Sequence, residues 1–127
     1  MAVAHPVFIS MDCAEPAPLA AFWAAMLGGE VKFTTAGAVG VRTEGLWLTA
    51  IRLPDYRPPS WPDGDVPKQM HLDLGVTDLE GAVAAAERLG ARVAPHQPAP
   101  DRWRVLLDPA GHPFCLTTQI PDVAREG

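Results

Sequence analysis

The chain has 127 residues, the length of one domain, with 48% hydrophobic and 20% charged residues, which excludes intrinsic disorder over most of its course. Its 15 acidic residues outnumber its 10 basic ones and no Lys/Arg cluster interrupts the net charge of -5, so nucleic acid and anionic membrane surfaces are excluded as expected partners. Cys13 and Cys115 form no CxxC pair, which points to reduced thiols in a cytoplasmic protein and away from a structural zinc site or a disulfide framework.

The opening residues lack a basic stretch and meet Pro6 before any apolar run reaches signal-peptide length, and no membrane-spanning run follows. Val7, Ile9, Met11 and Cys13 then alternate with Phe8, Ser10 and Asp12, the period of a strand over 7–13. Pro16 and Pro18 sit where a helix begins. Leu19, Phe22, Trp23 and Met26 fall at helical spacing as its core stripe, and Gly28-Gly29 ends it. Strands are expected over 30–35, 39–43 and 46–53, separated by Ala36-Gly37-Ala38 and Glu44-Gly45. The first half therefore reads βαβββ.

Residues 54–69 form a connector whose five prolines exclude a helix or a central strand. The pattern then restarts: Met70, Leu72, Leu74 and Val76 alternate with His71, Asp73 and Gly75. Thr77 and Glu80 have capping-box spacing, opening a helix through Val83, Ala86 and Leu89 to Gly90. Short strands are expected over 92–95, 102–107 and 113–118, with a turn at Asp108-Pro109-Ala110-Gly111. The second half is again βαβββ. The first strands superimpose with parity kept, Ile9 on Leu72, while the last strands align best with Thr49 over Thr117. The extra strand in each half decides against a ferredoxin-like βαββαβ sandwich.

Parity predicts the two faces of each half. If Val7, Ile9 and Met11 and their counterparts Met70, Leu72 and Leu74 pack on the helices, then Phe8, Ser10, Asp12, His71, Asp73 and Gly75 face the other way, joined by Trp47, Thr49, Cys115 and Thr117. Aromatic walls with a few polar groups are the composition of a small-molecule cleft.

Several of these residues have a plainer reading. His71 can be a strand histidine beside Asp73, and His5, His96 and His112 read as surface residues. Cys13, Phe22 and Trp23 read as core, and Arg102 and Arg104, which share a strand face able to receive an anionic ligand, read more plainly as solvated edge charges. Trp61, in a proline-rich connector with no core to fill, is expected over the cleft or at a subunit interface.

The segments Asp12-Cys13-Ala14-Glu15-Pro16, His71-Leu72-Asp73-Leu74, Leu89-Gly90-Ala91 and Leu107-Asp108-Pro109-Ala110-Gly111-His112-Pro113-Phe114-Cys115-Leu116 together resemble the vicinal oxygen chelate superfamily, in its glyoxalase-like, bleomycin-resistance-like branch. The resemblance implies one α+β glyoxalase-like domain over 1–127, two βαβββ modules (7–53 and 70–120) forming a curved mixed sheet, and a homodimer. That fold serves lyases, extradiol dioxygenases, epimerases, fosfomycin-inactivating transferases and drug-sequestering proteins.

In metal-using members a histidine opens and a glutamate closes each module's contribution to a divalent-metal site. Here Phe8 stands at the first histidine position and the first closing position falls at or near Trp47. His71 matches the second histidine, and Cys115 replaces the second glutamate. His71 is then the only matching ligand, and with a Cys115 thiolate it makes two where a catalytic site needs about three, unless His5, Asp12 or Asp73 is recruited. The expectation is therefore no metal and no other cofactor, and binding of a small organic molecule by Phe8, Ser10, Trp47, Trp61, His71, Asp73 and Cys115. The alternatives are a divalent-metal-dependent lyase or extradiol-type dioxygenase using His71, and a ligand-free interaction module.

Overall fold

A computed structural model describes residues 2–119 and divides the chain into two compact units, with the boundary between Arg57 and Pro58. Unit one runs β1 (Phe8–Cys13), α1 (Pro16–Leu27), β2 (Glu30–Thr34), β3 (Ala38–Thr43) and β4 (Leu46–Arg52). Unit two repeats that order with β5 (Leu72–Gly75), α2 (Leu79–Leu89), β6 (Arg92–Val93), β7 (Trp103–Leu107) and β8 (Pro113–Thr117). Each unit holds one four-stranded mixed sheet, ordered β1-β4-β3-β2 and β5-β8-β7-β6, so the fold is α+β and built of βαβββ modules. The first strand of each unit pairs parallel with the last, and the remaining pairs are antiparallel.

The two helices start differently. Pro16 at the head of α1 has no N–H to satisfy, and Glu15 before it makes no side-chain cap. Gly28 ends α1 in the left-handed region at φ 64°. In α2 the cap is Asp78, one residue beyond the expected Thr77: its Oδ1 accepts from the Gly81 N–H at 3.2 Å. An aspartate already in extended geometry reaches that donor, which displaces the capping-box start. The turn after β7 forms where its sequence places it. The buried Asp108 carboxylate accepts from the N–H groups of Ala110 and His112, at 3.0 and 2.9 Å.

Strand parity holds in both sheets, but the burial expected from it needs correction. Leu48 and Ala50 of β4 and Val39 and Val41 of β3 are buried with Leu19, Phe22 and Trp23 of α1. Their partners along β1 share the face, Ile9 opposite Leu48 and Met11 opposite Ala50, yet Ile9 is 40% and Val7 54% exposed. The helix explains this: α1 packs on β2, β3 and β4, and the parallel edge strand β1 lies outside its main footprint. Unit two repeats the arrangement, with α2 on β6, β7 and β8, Leu72 and Leu74 only half-buried, and Met70 82% exposed. A helix about 10 Å wide covers little more than two strands spaced about 4.8 Å apart.

Register corrects a second expectation. Ser10 lies opposite Thr49 and Asp73 opposite Cys115. The residue of unit one that matches Cys115 is therefore Thr49, not Trp47, and the sequence alignment of Thr49 with Thr117 is off by two positions. Parity survived because the error is even.

Candidate functional site

The face of unit one opposite α1 carries a cluster of aromatic side chains. Phe8 meets Trp47 edge-on at 5.6 Å between ring centroids and Phe33 at 6.2 Å. Phe33 lies over Gly40, where a Cβ would stand only 2.0 Å from the ring, so the missing side chain is what admits it. Thr49 is buried beside Ser10 in the register, and its Oγ1 has no hydrogen-bond partner among the described residues. Toward one end of the face a cleft of about 600 Å³ is bounded by Phe8, Trp47, Arg42, Lys32 and Glu30. The Arg42 guanidinium sits 6.0 Å from the Trp47 ring centre. Lys32, hydrogen-bonded to Glu30 at 3.0 Å, holds that carboxyl below its ordinary value.

Unit two carries different chemistry on the matching face. Asp73 of β5 and Cys115 of β8 are register partners, Val105 of β7 lies beside Cys115, and His71 precedes β5 with the same parity as Asp73. His71 Nε2 stands 3.1 Å from Asp73 Oδ1. One ligand atom each of His71, Asp73 and Cys115 lie within 4.8 Å of one another. The sequence matches two protein donors here and leaves His5, Asp12 or Asp73 as a further one to be recruited; the strand register brings Asp73 opposite Cys115. The Cys115 thiol is pushed up to about 11, first by burial and then by the Asp73 carboxylate, which repels a thiolate and accepts the thiol proton. It is therefore a neutral thiol at physiological pH when no cation is bound beside it.

Cys115 packs with Ala94 and Val105, and Trp61 and Trp103 lie partly buried against this cluster. Trp61 also faces the His96 ring at 5.4 Å. The Gln97 side chain secures the segment after β6, donating to the carbonyls of Ala94 and Val105 at 2.8 Å and accepting from the Val105 N–H at 2.9 Å. The result is a cleft of about 570 Å³ whose walls include Trp61, Trp103, Lys68, His71, Asp73 and Cys115.

Of the seven residues read as ligand-binding from sequence, Trp61, His71, Asp73 and Cys115 share this cleft. Phe8 and Trp47 line the cleft of unit one, and Ser10 lies exposed on that unit's face, outside the walls of both clefts. Trp103 and Lys68 were missed. The alternation of Trp103 and Val105 against Arg104 and Leu106 could have placed Trp103; Lys68, in the connector, left no periodic signal. The reading of Arg102 and Arg104 as solvated charges on one strand face holds for Arg102 only in its exposure and fails for Arg104. Arg104 is on the helix side, bonded to Glu80 of α2 and to the Pro100 carbonyl, and Arg102 lies outside the strand, over the Trp103 ring. Cys13, Phe22 and Trp23 are core residues as expected.

Paired βαβββ modules of this topology define the vicinal oxygen chelate superfamily. Within it the chain belongs to the glyoxalase-like domain family, whose sequence model matches residues 8–117. A search of curated proteins found no match. Among solved structures, the fosfomycin resistance protein FosX from Mesorhizobium loti is similar over 100% of both chains, with a TM-score of 0.70 and 12% identity. A mutant FosX from Listeria monocytogenes, complexed with Mn(II) and 1S,2S-dihydroxypropylphosphonic acid, gives 0.70 and 13%, also over 100% of both chains. The oxidase ChaP-H2 gives 0.65 and 16%, over 97% of this chain and 99% of its own. At such identities the likeness shows the fold. Among the described residues no helix is long and apolar enough to cross a membrane.

Proposed function

We propose that the protein binds a small, planar organic molecule in the unit-two cleft, held against Trp61 and Trp103 with its polar end at His71 and Asp73. The observation that carries this reading is the pair of partly buried tryptophans set beside an exposed imidazole–carboxylate pair on one face. The cleft, at about 570 Å³, is within the range of small-molecule sites. Each tryptophan stacked on a ligand ring contributes about 0.5 to 1.5 kcal/mol beyond area burial. On this reading the protein is cytoplasmic, with Cys13 and Cys115 reduced, and works as the homodimer that the family resemblance implies.

Tryptophan fluorescence tests it. A panel of planar organic compounds should include ligands that change the emission saturably, and Trp61→Phe and Trp103→Phe should each diminish that change. Trp47→Phe should leave it intact. If no compound gives a saturable change, or if Trp47→Phe alone removes it, the assignment to unit two is wrong.

A second reading is favoured by the three donor groups of unit two: a divalent-metal-dependent lyase or dioxygenase centred on His71. A bound cation would polarise neighbouring substrate oxygens. His71, Asp73 and Cys115 would hold it, while Trp61 and Trp103 orient the substrate and exclude water.

A further inference from the structure

We infer that His71, Asp73 and Cys115 form a three-ligand site, complete within unit two, for a thiolate-accepting divalent cation of the Zn(II) class rather than the Mn(II) class. The inference rests on the metal-dependent reading and goes beyond it in holding that the site is complete within unit two and selects a thiolate-accepting cation.

Placement comes first. Asp73 and Cys115 face each other across the parallel β5–β8 ladder, and His71 lies two residues before Asp73 on the same side. Two of the three donors thus project from paired strands and the third from the residue just before one of them. In a tetrahedral zinc site, bonds of about 2.0 to 2.3 Å set ligand atoms about 3.3 to 3.6 Å apart. His71 Nε2 and Asp73 Oδ1 are already 3.1 Å apart, and the whole set lies within 4.8 Å. Rotamer adjustment closes the remainder.

Burial comes next. Cys115 is buried at the base of the cleft, whereas the His71 and Asp73 side chains are 33% and 64% exposed at its mouth. Three protein ligands with the fourth direction facing the cleft is the arrangement of a catalytic rather than a structural zinc site. The cleft also gives the ion an entry path.

The donor chemistry selects the metal. Mn(II) favours carboxylate, carbonyl and water, while a thiolate with an imidazole favours Zn(II) and its spectroscopic substitute Co(II). The matching positions of unit one, Phe8, Ser10 and Thr49, supply no imidazole, carboxylate or thiol. A hard-metal site of the kind expected from the family resemblance does not fit these residues; a nitrogen–oxygen–sulfur site does.

Co(II) added to chelator-treated, tag-free full-length protein provides the test. Expected are one ion per chain, a thiolate-to-metal charge-transfer band, tetrahedral visible bands, and displacement by Zn(II) but not by equal Mn(II). Cys115→Ser should remove the charge-transfer band. Cys115→Ser and His71→Ala should weaken Zn(II) beyond the roughly 10- to 100-fold loss typical of an outer-shell partner. Asp73→Asn, at an exposed position that leaves the fold intact, should do the same, and Cys13→Ser should change neither readout. No bound Co(II) at all would overturn both the inference and the metal-dependent reading. A Mn(II) ion bound through His71 and indifferent to Cys115→Ser would overturn the inference alone. Saturable tryptophan quenching in the metal-free protein reads out the small-molecule proposal separately.

Discussion

On the helix side the two units are alike: Leu48 and Ala50 of β4 are buried as fully as Phe114 and Leu116 of β8, and in each unit the parallel edge strand extends past the helix. On the other side they diverge at matched positions. Where unit one has Phe8, Ser10, Thr49 and Gly40, unit two has His71, Asp73, Cys115 and Val105. Phe33 lies over the glycine in unit one, and in unit two the connector's Trp61 packs against the Val105–Cys115 cluster. A repeated module keeps the face that folds it and is free to change the face that does not. One copy here lines its outer face with an aromatic cluster, and the other carries imidazole, carboxylate and thiol groups around its cleft.

The largest effects should fall on the shared face, and equally in both units. Leu48→Ala and Leu116→Ala, each removing a side chain 1% exposed, should cost about 2 to 5 kcal/mol in denaturant unfolding. Ile9→Ala, on the edge strand, should cost well under half of that. Equal losses at Ile9 and Leu48 would mean that something other than α1 buries β1.

The outer face of unit one can be disturbed at Gly40. A methyl group there meets the Phe33 ring, and overpacking of this kind costs about 1 to 3 kcal/mol. In the Phe33→Ala background the same substitution should be nearly neutral, a coupling that a double-mutant cycle reads directly. Additive costs would show that Phe33 does not fill this face.

The outer face of unit two should betray itself by pH. The Cys115 thiol, raised from an ordinary value of 9.0 to about 11, keeps its proton in the folded state over an interval where the unfolded chain has lost it. Folding then binds a proton. The associated stability is present below pH 9 and is lost as pH rises to about 11. Chelator-treated protein should show this fall in urea midpoints; Cys115→Ser should flatten it, and Asp73→Asn should make it smaller and complete at lower pH. No fall between these values would mean that Cys115 is not screened by burial and Asp73.

How much of this was legible beforehand follows from what periodicity can encode. Alternation fixed the side on which Leu48, Cys115 and His71 point, because the pleat alone decides it. It carries nothing about strand order, so Ile9 on an edge reads like Leu48 in the middle of the sheet. Nor does it carry register: alternation puts Asp73 on the cleft face beside His71, and only the β5–β8 ladder sets it across from Cys115. Trp61 was singled out because an aromatic among prolines lacks a local core, and the structure places it in the cleft with its carrier strand-free. Lys68 reaches the same cleft from the connector, where no sequence period exists to mark it.

The helices supply the smallest and sharpest contrast. The Asp78 carboxylate satisfies the otherwise orphaned Gly81 N–H of α2, whereas Glu15, at the same position before α1, makes no side-chain cap. Asp78→Ala should therefore cost about 1 kcal/mol, within the usual 0.5 to roughly 2 kcal/mol for losing a cap, and Asp78→Asn should restore most of it. Glu15→Ala should cost almost nothing in the same urea titration. The asymmetry has a physical source: α1 buries Leu19, Ala20, Phe22 and Trp23 and begins with a proline that presents no donor, so packing fixes its start. In α2 only Val83 and Ala86 are buried, and a helix held by so little apolar surface depends on its cap. A Glu15→Ala loss as large as that of Asp78→Ala would show that α1 relies on an electrostatic start instead, and that the two modules share their helix chemistry after all.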